Sequence, residues 1–202
     1  YMKFGYPTLE YTFQPGDAKY EDINKDGQIN YQDIVYLGDY NPLIYGGITP
    51  SVKYKNWSLS TVFHYRYGND IVNAARMSLE NMYGFNNQAT SVLRRWRHEY
   101  ANPDDAPKDL LPRALHAEGY NWLASDRFVE DGSFIRWKSI TLRYNFPRPF
   151  LSRFKLQDTY LYFTMQNVLL LTNYTGQDPE IRLGTFQDNA RTPVPKSYTL
   201  GM

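Results

Sequence analysis

The stretch DGSFIRWKSITLRYNF, residues 131–146, decides how the rest of this chain is read. From Ser139 onward it alternates. Ile140, Leu142, Tyr144 and Phe146 fall on one side, with Ser139, Thr141, Arg143 and Asn145 on the other. A period of two marks a strand in a sheet with one apolar and one polar face.

Four further segments repeat the pattern. ITPSVKY sets Ile48, Pro50, Val52 and Tyr54 against Thr49, Ser51 and Lys53. WSLSTVFHYRY sets Trp57, Leu59, Thr61, Phe63 and Tyr65 against Ser58, Ser60, His64 and Arg66. TYLYFTMQNVLL sets Leu161, Phe163, Met165 and Leu169 against Tyr160, Tyr162, Thr164 and Gln166, and SYTLGM sets Tyr198, Leu200 and Met202 against Ser197, Thr199 and Gly201. Between them, Lys55-Asn56 makes a tight hairpin and Pro147 to Gln157 a short turn region, while a long insert runs from Gly68 to Asp131 and an irregular stretch follows Leu171. Short turns at one end and long loops at the other describe an outer-membrane barrel. Tyr54, Trp57, Tyr144 and Phe146 flank the short turns and would form an aromatic girdle there. On periodicity alone, a soluble sandwich whose apolar faces meet in a core stays open.

Composition agrees. The 202 residues carry 22 Lys+Arg against 21 Asp+Glu, a formal charge of +1, which argues against a nucleic-acid footprint. No cysteine is present, which excludes disulfides and thiolate metal sites. Aromatic residues make up 17%, mostly tyrosine, the kind of side chain that gathers where an apolar surface meets water. No apolar run is long enough to cross a bilayer as a helix, the best being VLLL at Val168 to Leu171, and the start YMKFGYPTLE does not read as a signal peptide. Within the insert, DIVNAARMSLENMYG places Ile71, Ala75, Met77 and Leu79 at helical spacing, and TSVLRRWRHEY predicts a second short helix capped by Thr90.

Taken together, these segments resemble the C-terminal barrel portion of SusC/RagA-type TonB-dependent transporters. GDAKYEDINKDGQINYQD is followed by GDYNPLIYGGI, the YKN turn and YGNDI, then by RRWRHEYANPDDAPK, RFVEDGSFIRWKSITLRYNFP and LYFTMQNVLLLTNYTGQDPE. The DGSFIRWKSITLRYNFP block and the Gln166-Asn167 pair carry the most specific likeness. The resemblance implies an all-β chain, about five strands of a large transmembrane antiparallel barrel with short helices in its long extracellular loops. Residues 1–47 would form an extracellular loop and residues 48–202 the strands, with the 68–131 loop also outside. It implies import of oligosaccharides or peptides across the outer membrane of a Gram-negative bacterium. A SusD-like surface lipoprotein would act as lid, and energy would come from TonB through a plug and TonB box that these residues do not include. Such barrels end on an aromatic residue, whereas here the last residue is Met202.

DINKDGQINYQD, Asp22 to Asp33, has the spacing of a calcium loop. Asp22, Asn24 and Asp26 occupy positions one, three and five, Gly27 the sharp turn at six, and Gln28 the carbonyl at seven. Ile29 packs at eight, and Asn30 and Asp33 fall at nine and twelve, where the shorter Asp33 replaces the usual bidentate Glu. The expectation is a structural Ca²⁺ that stiffens an extracellular loop, with no redox or organic cofactor. An Asx turn without metal is the alternative reading.

No enzyme motif emerges. His64, His98 and His116 have no ligand spacing, no nucleophile elbow or phosphate loop occurs, and Asp104-Asp105 sits in a proline-rich loop that reads as solvated surface. In the large loop, Trp96, Tyr100 and Trp122 are the candidate cargo contacts, beside Tyr83, Phe85, Tyr120, Arg94, Arg95 and Arg97. The same rings also fit loop packing. The competing function is a calcium-braced, soluble β-rich binding or adhesion module of a secreted protein.

Overall fold

A computed structural model describes residues 3–6, 9–100, 107, 109–116, 118–182, 184–190 and 192–202. Asp104 and Asp105 lie outside the described residues. The chain divides into two compact units, one of residues 1–37 and 73–129, the other of residues 38–72 and 130–202. This division cuts across the boundaries at residues 47 and 68–131 read from the sequence.

The second unit is built on the strands that the alternation picks out. Ser197–Gly201, Tyr160–Thr172, Phe134–Asn145 and Trp57–Tyr67 lie side by side, all antiparallel. The outer edge is Ile44–Ile48 followed by Ser51–Tyr54, both paired to Trp57–Tyr67. The edge strand thus begins at Ile44, earlier than the alternation indicates, and breaks at Thr49-Pro50. Proline has no N–H to give the ladder, although its carbonyl still accepts from Thr61. Lys55 adopts a left-handed φ of 51° and closes the two-residue hairpin between Tyr54 and Trp57. The Pro147–Gln157 turn contains a helical turn, Arg148–Leu151, with Pro149 in its first turn, where no N–H is needed for the helix.

Register places the apolar residues on one face. Trp57 pairs with Tyr144, Leu59 with Leu142, Thr61 with Ile140, and Met165 with both Ile140 and Tyr198. Trp57–Tyr65 and Ile140–Phe146 therefore sit next to each other on the same exposed face, so the sandwich core considered from the sequence does not form between them. Val52, Tyr54, Leu161, Phe163, Leu169, Leu171 and Leu200 continue that exposed face. At the hairpin end, a chain of rings runs from Trp57 through Tyr144, Phe146 and Phe150 to Phe154, with centroids 4.7–5.7 Å apart. The opposite face carries Ser58 against Arg143, Ser60 against Thr141, and Thr164 against both Thr141 and Thr199. Among the described residues no helix is long and apolar enough to cross a membrane.

One irregularity governs the upper half of this sheet. Lys138 has no partner in Trp57–Tyr67, where Val62 faces Ser139 and Phe63 faces Trp137. On the other side, Asn167 and Val168 together face Lys138. The extra residue turns Trp137 and Ile135 onto the apolar face and Arg136 and Phe134 onto the polar one. Without it, Arg136 and Lys138 would face outward. Asn167 holds the bulge at φ 52°, a left-handed conformation that asparagine tolerates, and its amide donates to the Pro195 carbonyl at 2.7 Å.

The first unit has little regular structure. Lys3–Tyr6 pairs antiparallel with Leu9–Thr12 and parallel with Gln28–Ile29. Its core gathers Met82, Val92, Leu111, Trp122 and Phe128. The expected first helix starts later than its spacing indicates, at Ala74–Glu80 with Asn73 as cap accepting from the Arg76 N–H. Ile71 instead lies in the Asp70–Asn73 strand and is fully buried. The second expected helix is a 3₁₀ segment, Thr90–Arg94, in which Thr90 is the first residue rather than the cap and Ala89 precedes it without a side-chain bond.

Candidate functional site

The calcium-type loop folds through its own oxygens. Asp22 accepts from the Asp26 N–H at 3.2 Å and the Gly27 N–H at 2.8 Å, and Asn24 Oδ1 accepts from the Asp26 N–H at 3.0 Å. Asp26 accepts from the Gln28 N–H at 2.8 Å. Lys25 and Gly27 take left-handed φ values of 60° and 82°, so the sharp turn falls where the spacing places it. Asn30 and Asp33 form a reciprocal capping box over Tyr31–Asp33, and the second Asp33 oxygen accepts from the Ile23 N–H at 2.9 Å. Ile29 is buried while the polar loop residues around it are largely exposed. Among the described residues no three His, Cys, Asp or Glu side chains gather as a metal-binding group. A cation here would depend on amide and main-chain oxygens from Asn24, Gln28 and Asn30 beside Asp22 and Asp26, a donor set suited to a hard ion such as Ca²⁺. The turn geometry fits that ion, and Asp33 serves the backbone as a brace.

The three aromatic candidates are placed differently. Trp122 is 3% exposed, with Arg127 over its ring at 4.8 Å, so it is a core residue of the loop. Trp96 is half-buried and borders a groove of about 1090 Å³ shared with Ile23, Ile34, Leu110, Pro112 and Leu123. Tyr100 is half-buried in a separate short turn, His98–Tyr100, and does not line that groove.

Beside the groove lies a polar knot that no spacing in the sequence announces. Asp17, its side chain 1% exposed, accepts from Tyr11 Oη at 2.7 Å, the Gln14 N–H at 2.8 Å, Arg113 Nε at 2.5 Å and Asn121 Nδ2 at 3.0 Å. Asn121 returns its Oδ1 to the Ala18 N–H, and Tyr11 stacks on Tyr120 at 4.4 Å. Burial alone would raise the Asp17 carboxyl. The hydrogen bonds from Arg113, Tyr11, Gln14 and Asn121 together hold it below the usual carboxylate range. Burial, reinforced by Asp17, pushes the Tyr11 hydroxyl up to about 12.

On the polar face of the second unit, a second charged cluster forms. Arg136 pairs with Asp178 and, at 2.8 Å, with Glu180, which also accepts from Lys138 at 2.7 Å. The only hint in the sequence was the alternation, and the Lys138 bulge hides Arg136 from it.

Known proteins match over most of the chain. It is 31% identical over 176 residues to a TonB-dependent receptor, P3, of Formosa agariphila, covering 87% of this chain and 16% of the relative. SusC of Bacteroides thetaiotaomicron, also a TonB-dependent receptor, is 26% identical over 92% of this chain and 17% of its own length. Two structures of the RagAB peptide importer, in open-open and closed-closed states, superpose with TM-scores of 0.60 and 0.61. They are 27% and 26% identical, and in each the match covers 80% of this chain and 17% of the other. The chain belongs with the SusC/RagA-type TonB-dependent receptors. No protein-family profile matches it. The SusC-type chain spans under a fifth of the curated relatives' length, 16%, 19% and 17% for three of them. Its sheet is part of a receptor barrel, and the relatives are receptors rather than enzymes.

Proposed function

We propose that the protein carrying this chain is an outer-membrane importer, driven through TonB, that takes up oligosaccharides or peptides beneath a SusD-like surface lipoprotein. The observation that carries the reading is the two-faced sheet. One side is a continuous exposed apolar band with rings at the hairpin end, suited to lipid, and the other is polar, suited to a wet lumen. The likeness to SusC and to the RagAB peptide importer supports the same reading and favours neither cargo class alone. The groove beside Trp96 is the surface in this chain best suited to stack a sugar ring or an apolar side chain.

The Asp22–Asp33 loop is proposed as a Ca²⁺ site held by Asp22, Asn24, Asp26, Gln28 and Asn30, with Asp33 bracing the turn from behind, that stiffens the extracellular unit. Calcium would supply positive charge at the centre of an oxygen-rich turn and perform no chemistry on cargo. Titration calorimetry on the intact protein, with Asp22→Ala and Asp26→Ala beside it, reads this directly. Heat of binding at or below millimolar Ca²⁺, lost in both variants, is the expected result. No heat in the parent would remove the metal from the account.

For transport, the test is fractionation and uptake. The protein should be found in detergent-extracted outer membrane, and deleting its gene should abolish growth on one purified glycan or peptide class. Growth unchanged on every glycan and peptide supplied would overturn the importer reading.

A further inference from the structure

The segment after Leu171 reads in sequence as an irregular extracellular loop. Its packing in the second unit is that of a wall element. Tyr174 and Ile181 join Ile71 in a buried apolar cluster, and the Tyr174 hydroxyl donates to Asp188 at 2.8 Å. The Val72 N–H donates to the Phe186 carbonyl at 2.8 Å, and Gln187–Asp188 pairs as a strand with Asp70–Asn73. Thr172 donates to the Ser133 carbonyl at 2.8 Å.

Thr175 donates to the Glu130 carboxylate at 2.7–2.9 Å, and the charged contacts that the segment makes with the large sheet go to one face of it. Arg136 is 4% exposed and grips both Asp178 and Glu180, Lys138 donates twice to Glu180, and Arg66 donates to the Ile181 carbonyl at 3.2 Å. His64 lies 3.9 Å from Glu180. Arg66 pairs in register with Phe134 and His64 with Arg136, so these side chains share the polar face. The bulge at Lys138 is what brings Arg136 there. A guanidinium that is this buried needs its carboxylates, because removing either would strand a charge out of water.

We infer that residues 174–182 and 184–188 form a fixed inward fold on the lumen wall at the barrel mouth, latched by Arg136, rather than a mobile outer loop. This rests on the importer reading, which makes the polar face the lumen. Arg136 is then a positioning residue. Through Asp178 and Glu180 it holds a recess of about 250 Å³, lined by Ile181, Thr185, Phe186, Gln187 and Asn189, facing the cargo path. Phe186 is 56% exposed there, with amide side chains beside it, a surface suited to an apolar or sugar face flanked by hydrogen-bonding groups.

The test uses the full-length transporter with its other thiols removed. Spin labels on Phe186→Cys and Ser60→Cys should give one narrow distance population, the same with and without cargo. Arg136→Gln should broaden it, and Asp178→Asn with Glu180→Gln should do the same should the first variant fail to assemble. In uptake assays, Arg136→Gln should raise the half-saturating cargo concentration several-fold with the maximal rate retained, and Arg136→Lys should fall between. A broad or cargo-dependent population in the parent would overturn the inference, as would unchanged distances in both latch variants or an unchanged half-saturation. If the parent imports no cargo yet keeps the narrow distance, the importer reading fails and the latch stands.

Discussion

Replacing Asp17 by Ala removes the acceptor of the polar knot in the first unit. The side chain is almost fully buried and takes hydrogen bonds from Tyr11, Gln14, Arg113 and Asn121. Removing it leaves the Arg113 guanidinium, itself 24% exposed, without its carboxylate. Breaking a buried pair by deleting one partner costs about 3–5 kcal/mol. Hydrogen exchange on the intact protein is the appropriate assay, because the loss should be local. The Ala18, Arg113 and Leu123 amides, bonded to Asn121 Oδ1, the Gly16 carbonyl and Tyr20 Oη, report the knot. At about 1.4 kcal/mol per tenfold, they should exchange roughly two to four orders of magnitude faster, while the Leu142 amide in the sheet stays unchanged. Asp17→Asn, which keeps a single acceptor and no charge, should lie between. The sign with pH also follows. A carboxyl held below its ordinary value of 3.8 contributes fully above that value and loses its contribution as pH falls through the lowered one. Protection corrected for intrinsic exchange should therefore be flat from neutral pH to about 4 and fall only below. A change of less than tenfold in Asp17→Ala, or a loss of protection near neutral pH, would refute the reasoning.

The remaining predictions concern the two faces and the large loop. On the importer reading, Ile140→Arg puts a charge on the apolar face and should destabilise the barrel by about 2–4 kcal/mol, the cost near a bilayer midplane, whereas Thr141→Arg on the polar face should be tolerated; urea titration of heat-modifiable electrophoretic mobility compares them. Gly16→Ala should loosen the Trp96 contact, because its Cβ would lie 2.4 Å from the ring at a φ of 92°, and a red-shifted Trp96 emission in a variant retaining only that tryptophan would register it. Trp122→Ala should cost about 3–5 kcal/mol of local stability through the cavity it leaves, seen as faster exchange of the Phe128 amide, while Trp96→Ala should weaken cargo binding with smaller loss of stability.

The alternation made the strands legible because a half-buried sheet repeats every two residues whatever surrounds it. Trp57–Tyr67 and Tyr160–Thr172 could be read that way. The alternation shows the edge strand only from Ile48, since Ile44 to Gly47 includes two glycines that carry no facial signal. The helical spacing points to Ala74–Glu80 but starts too early, because Ile71 satisfies it while its backbone pairs in a sheet. The calcium-type turn was legible because its oxygen spacing is local. Asp17, Arg113 and Asn121 were not, being about a hundred positions apart and joined only by tertiary folding. Trp122 and Trp96 look alike as residues in a loop, and only burial separates them. Arg136 was missed for a sharper reason. Counting by twos from Ile140 assigns it to the outer face, and one inserted residue reverses that assignment.

That inserted residue also tells how the wall could be rebuilt. From the Trp57–Tyr67 strand to Phe134–Asn145 to Tyr160–Thr172, the extra residues at the break rise from none to one to two. The hairpin half and the mouth half of the wall are therefore two separately indexed storeys, joined along a seam at Lys138 and Asn167. Material exchanged above the seam between related receptors would leave the lower register untouched, and a splice below it would shift every side chain above by one face. The Gln166-Asn167 pair, prominent as a family mark, sits on that seam as its hinge pin.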